Sequence, residues 1–85
     1  MILPTKGISP QRALVTVGSQ ALEALRQPRS VNSTFEATKR IRIARGFREP
    51  ISFDWFSLSL AMLYSIGAIE LNIDGLLVRV TRAAY

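Results

Sequence analysis

The chain has no cysteine and no histidine. Disulfides are therefore excluded, and so are the usual zinc and iron sites, which draw on thiolate and imidazole ligands. Cysteine and histidine nucleophile or base chemistry goes with them. Acidic residues are few. The six carboxylates, Glu23, Glu36, Glu49, Asp54, Glu70 and Asp74, are scattered along the 85 residues without the pairing that acid–base catalysis uses. No catalytic residue, metal or cofactor is expected, and the chain is read as non-enzymatic. A chain this short makes one domain whose small core contributes only a few kcal/mol beyond chain entropy, so it gains from association.

A long hydrophobic run is missing too. The most apolar stretch is ISFDWFSLSLAMLYSIGAIEL, residues 51 to 71, in which fifteen uncharged residues separate Asp54 from Glu70. Crossing a hydrocarbon layer takes roughly 20 apolar residues, and Ser57, Ser59, Ser65 and Gly67 dilute this stretch further. At the N-terminus Pro4, Lys6, Gly7 and Pro10 interrupt any signal-peptide run. The expectation is a cytoplasmic protein with no membrane contact.

Positive charge, by contrast, is plentiful. The net charge is +5 and the isoelectric point about 10.8, which favours an acidic partner, either nucleic acid or an acidic protein surface. Six of the eleven basic residues, Arg29, Lys39, Arg40, Arg42, Arg45 and Arg48, fall within twenty consecutive positions in which Glu36 is the one acid.

Residues 1 to 8, MILPTKGI, predict an extended arm, because Pro4 and Gly7 oppose helix while Ile2, Leu3 and Ile8 can pack onto the body. The TKG triplet is not a phosphate loop, which needs GxxxxGK[ST] between a strand and a helix. Ser9 before Pro10 is a helix start. In the helix that follows, Leu14, Val17, Ala21, Leu22 and Leu25 make one apolar stripe, and Pro28 closes the run. Ser33 and Glu36 have capping-box spacing and Gly46 sits where a C-terminal cap belongs, so a second helix is expected over about 33 to 45. Its buried stripe is read as Thr34, Ala37, Ile41 and Ala44, with Lys39, Arg42 and Arg45 lining a flank; a solvated face is the bland reading of that flank. A third helix is expected from Ser52 or Phe53 to Gly67. Phe53, Phe56, Leu60 and Leu63 form one row on it, and Trp55, Leu58 and Met62 another displaced around the axis. Two short strands, AIELN and LLVRV, then flank Asp74-Gly75, a strong hairpin signal.

Three helices followed by a two-stranded hairpin predict a mainly α winged helix-turn-helix with the hairpin as wing, spanning 9 to 82, after the arm and before a tail at 83 to 85. Two phrases, ILPTKGISPQRALVTVG and ISFDWFSLSLAMLYSIGAIEL, resemble the small middle component of prokaryotic ABC-three-component systems, specifically the sixth type. The resemblance runs from residue 2 to about 80, with ILPTKGI and FDWF as its specific parts. It implies a winged-helix adaptor that joins an SMC-like ABC ATPase to an effector, often a nuclease, in anti-phage or anti-plasmid systems such as the Lamassu group, and hence a hetero-oligomer. It carries over no catalytic residue.

A winged-helix transcriptional regulator is the alternative. Groove recognition needs Arg, Lys, Asn or Gln on the third helix to reach base edges, and none occurs from Phe53 to Ile66, while Asp54 would repel phosphate. That helix is better suited to protein. The row Phe53, Phe56, Leu60 and Leu63 is assigned to the core, and Trp55, Leu58 and Met62 to a partner, against the plainer option that Trp55 merely lids the core. Lys39, Arg42, Arg45 and Arg48 are the candidates for sequence-independent contact with the DNA backbone or with an acidic surface of the ATPase.

Overall fold

A computed structural model describes residues 9–80. The expected arm (residues 1–8), the expected tail (83–85) and residues 81–82 of the expected domain lie outside the described residues.

Local chemistry sets the helix ends. Helix α1 spans Pro10–Ala24, and the Ser9 hydroxyl accepts the Arg12 N–H at 3.2 Å. The Leu25 N–H turns back onto the Ala21 and Leu22 carbonyls at the other end. The Arg29 side chain completes that end by donating from Nε to the Ala24 carbonyl at 2.7 Å, satisfying one of the four carbonyls a helix leaves open.

Helix α2 spans Val31–Ala44. Its cap is Ser30, three residues before the expected Ser33: the Ser30 hydroxyl accepts the Ser33 N–H at 3.0 Å. The capping box is not used. The Ser33 hydroxyl instead receives Arg29 Nη1 at 3.1 Å, and Glu36 pairs with Lys39 at 2.9 Å. The earlier start has a long-range cause, since Arg29 pairs with the wing and delivers Ser30 in extended geometry just before the helix.

At the other end Gly46 takes φ +85°, and the N–H groups of Phe47 and Gly46 close onto the carbonyls of Arg42 and Ile43. This is the double closure of a Schellman cap, whose left-handed residue favours glycine. Helix α3 spans Phe53–Ser65 from the Ser52 cap, and Gly67 ends it by the same closure onto Leu63 and Tyr64.

Strands β1 (Ile69–Leu71) and β2 (Leu77–Arg79) pair antiparallel with Leu71 opposite Leu77 and Ile69 opposite Arg79. The turn is wider than a two-residue hairpin. The Asn72 side-chain oxygen accepts the N–H groups of Asp74 and Leu76, and Gly75 has positive φ. A single antiparallel bridge joins Arg29 to Leu77 through two hydrogen bonds of 3.1 and 2.7 Å. It pins the α1–α2 connection to the wing, completing a winged-helix-like domain.

The core takes Val17 and Ala21 from α1, Leu25 just after it, Ile51 from the α2–α3 connection, Phe56 and Leu63 from α3, and Ile69 and Leu77 from the wing. The expected stripe on α2 is off by part of a turn. Thr34 and Ala37 are buried as expected, but Thr38 and Arg42 join them, while Ala44 is exposed and Ile41 half-buried. The inner face of α2 is thus largely polar and satisfied locally: the Thr34 and Thr38 hydroxyls donate to the carbonyls four residues back at 2.8 and 2.7 Å.

Candidate interaction surfaces

The four cations proposed from the sequence have different surroundings. Arg42 is only 2% exposed. Its Nη1 donates to the Gln20 side-chain oxygen at 3.0 Å and its Nη2 to the Glu49 carbonyl at 3.3 Å, and the guanidinium lies 4.5 Å from the centre of the Phe47 ring. Burial lowers its pKa, an effect partly opposed by the negative charge of Glu49. An arginine starts so high that it remains a cation. The expectation of Arg42 as an exposed phosphate ligand is therefore corrected: it ties α1, α2 and the α2–α3 connection together from inside. The reason is periodicity. Four residues beyond Thr38, Arg42 continues the face that α2 turns toward α1.

Lys39 is held by Glu36 and lies 4.5 Å from the Phe35 ring centre. Arg45 forms an ion pair with Glu23 across to α1. Arg48 is exposed and carries no ion pair among the described residues.

The proposed partner row on α3 divides in a similar way. Trp55 is 6% exposed, so the indole is interior, and its Nε1–H meets no acceptor among the described residues. Met62 is half-buried against α1: a methyl group built on Gly18 would stand 2.8 Å from Met62 Cε. Glycine at position 18 leaves room for the end of the Met62 side chain there. Leu58, at 43% exposure, is the one member of the row at the surface. Phe53, assigned to the core from its row, is instead 49% exposed, with its ring edge-on to Phe35 at 5.3 Å between centroids.

Two sets of surface residues were not among the candidates chosen from the sequence, although Arg40 lay within its basic cluster. Tyr64, Ile66, Leu71 and Ile73 are exposed at the end of α3 and on the wing. Arg26, Arg40 and Arg79 are exposed without an ion pair among the described residues. The latter come from three elements, so no linear spacing announces them. The described residues hold no cluster of acids able to ligate a metal, and no helix among them is long and apolar enough to cross a membrane.

The model of one protein family, described as ABC-three component (ABC-3C) system Middle Component 6, matches residues 3–80. That covers nearly the whole chain. The chain belongs to this family. The middle component is thus one part of a multi-component system, and its fold is the helical domain with a small wing described above. Comparison with curated proteins and with solved structures returned no match.

Proposed function

We propose that this middle component is a non-catalytic adaptor that joins an SMC-like ABC ATPase to an effector subunit in a prokaryotic defence system. The observation that carries the reading is family membership over residues 3–80. The surface chemistry of α3 supports it. From Phe53 to Ile66 the helix carries no Lys, Arg, Asn or Gln, and its exposed large side chains are Phe53, Leu58, Tyr64 and Ile66. Exposed apolar side chains of this size suit a protein partner. In this reading Leu58 is the surface anchor on α3, while Met62 packs behind it against Gly18 of α1 and Trp55 is interior. Contact with DNA is electrostatic and directed to the phosphate backbone, because α3 has no Arg, Lys, Asn or Gln to read base edges with.

The fold itself favours one second reading, a winged-helix DNA-binding regulator that inserts α3 into the major groove. One experiment separates the two. The parent chain and Leu58→Asp are each co-expressed with a tagged ATPase and the effector, and retention on the tag is measured beside a thermal melt. The adaptor reading expects the parent to be retained and Leu58→Asp to be lost at an unchanged melting temperature. A parent chain that is never retained, yet protects one DNA sequence over its scrambled version, would establish the regulator instead.

A further inference from the structure

Charge that already has a partner inside the chain has little left for a ligand. Lys39 and Arg45 face Glu36 and Glu23, and Arg42 is buried. Three exposed guanidinium groups without an ion pair among the described residues sit elsewhere, on two grooves that Arg12 and Arg48, also exposed, do not line. Arg26 lies in the turn after α1, Arg40 on the outer face of α2 and Arg79 on β2, and all three are exposed. Arg26 and Arg79 line one groove, between the α1–α2 connection and the wing. Arg26 also lines the neighbouring groove, between α1 and α2, together with Arg29 and Arg40. The one carboxylate on either lining is Glu23, which is engaged by Arg45. Arg29 is held in place by its bonds to the Ala24 carbonyl and the Ser33 hydroxyl, and its backbone is bridged to Leu77 on the wing. The wall between the two grooves is thus fixed by the fold.

We propose that these adjoining grooves, with Arg26, Arg40 and Arg79 as the contacting residues, bind the phosphate backbone of a nucleic-acid duplex. Guanidinium is the side chain best matched to phosphate, presenting paired N–H donors with a charge that persists at any physiological pH. Placing the three on separate elements and across two grooves suits a row of phosphates better than a single small anion. Among the described residues no aromatic side chain lines either groove, so these residues offer no stacking platform of the kind single strands use. Nor do the described residues offer an apolar anchor site there: Leu25, Ala24, Ala37, Ile41 and Val78 on these linings are buried or half-buried. The inference rests on the DNA-contact part of the function proposed above and is independent of docking to the ATPase.

The test uses the full chain and a fluorescent mixed-sequence DNA duplex of about 20 base pairs, titrated at several salt concentrations. Each phosphate neutralised contributes about 0.9 to the slope of log affinity against log salt. The triple variant Arg26→Gln/Arg40→Gln/Arg79→Gln should lose about tenfold or more in affinity, and its slope should flatten by up to about 2.7 if each arginine meets one phosphate. The double variant Lys39→Gln/Arg48→Gln should bind within about threefold of the parent. A scrambled duplex should give the same values throughout. All three arginines are exposed, so the triple variant should melt with the parent, which separates lost contact from lost fold. Three results would overturn the assignment. If the triple variant binds as the parent does while Lys39→Gln/Arg48→Gln does not, DNA contact stands and its place is wrong. If the parent does not bind the duplex even at low salt, the contact itself fails. If the parent binds poly-glutamate more tightly than the duplex at equal ionic strength and loses that binding in the triple variant, the grooves serve an acidic protein.

Discussion

Helix α1 packs against two neighbours by opposite chemistries. Its contact with α3 is apolar and close: Val17 and Ala21 meet Phe56 and Leu63 in the core, and Gly18 leaves room for Met62. Its contact with α2 is polar, with Gln20, at 2% exposure, receiving the buried Arg42. Apolar contacts follow the rule that greasy faces turn inward, so they can be read from periodicity. A buried arginine breaks that rule and is stable only because its donors are satisfied within the fold. Hence Phe56, Leu60 and Leu63 of the expected core row turn inward, though Phe53 does not and Trp55 of the partner row does, whereas the inner face of α2 was misplaced by part of a turn.

The largest effect on the apolar side should come from Trp55→Ala. Removing an aromatic side chain that is 6% exposed should destabilise the chain by about 3 kcal/mol or more, measured by urea unfolding. Trp55→Phe sharpens the point. It gives up some buried area but also removes a buried N–H without an acceptor, so a change within about 1 kcal/mol is expected. If instead Trp55→Ala unfolds with the parent, the indole is not part of the fold. The next effect in size is at the close approach. Gly18→Leu forces α1 and α3 apart at Met62 and Leu63, and overpacking of this kind costs about 1 to 3 kcal/mol; a melting temperature equal to the parent's would show that the two helices do not meet there. The smallest should be Arg45→Ala. Its pair with Glu23 is partly exposed and should contribute less than about 1 kcal/mol, falling further at high salt. A salt-independent loss larger than that would put Arg45 on the structural side of the comparison with Arg42.

The cap at Ser9, the start of α3 at Ser52 or Phe53 and the stops at Gly46 and Gly67 were legible because each depends on a few neighbouring residues. The start of α2 was not. Two serines three apart, Ser30 and Ser33, both suit a cap, and the choice between them goes with the Arg29–Leu77 bridge, made by residues 48 positions apart in the sequence. The basic surface failed for a related reason. Density along the chain pointed to Lys39, Arg42, Arg45 and Arg48, but acids from α1 and from α2 itself answer Arg45 and Lys39, and α1 takes in Arg42. The arginines left unpaired on the described surface, Arg26, Arg40 and Arg79 among them, are gathered only by folding. Family membership was the most legible feature, since its phrases are continuous in the chain and the family model matches residues 3–80.

The division between an arginine that serves the fold and arginines that serve a partner is tested most directly by one matched pair on a single helix. Arg40 and Arg42 stand two residues apart on α2, one exposed and the other buried. Thermal melts of Arg40→Ala and Arg42→Ala apply the same substitution to both. Truncating Arg42 leaves the buried Gln20 side chain unpaired and should cost about 3 kcal/mol, lowering the melting temperature by roughly 10 °C or more. Arg40→Ala should stay within about 2 °C of the parent, because surface substitutions away from such features change little. Equal and small shifts for the two variants would contradict the account, returning Arg42 to the surface beside Lys39 and Arg48.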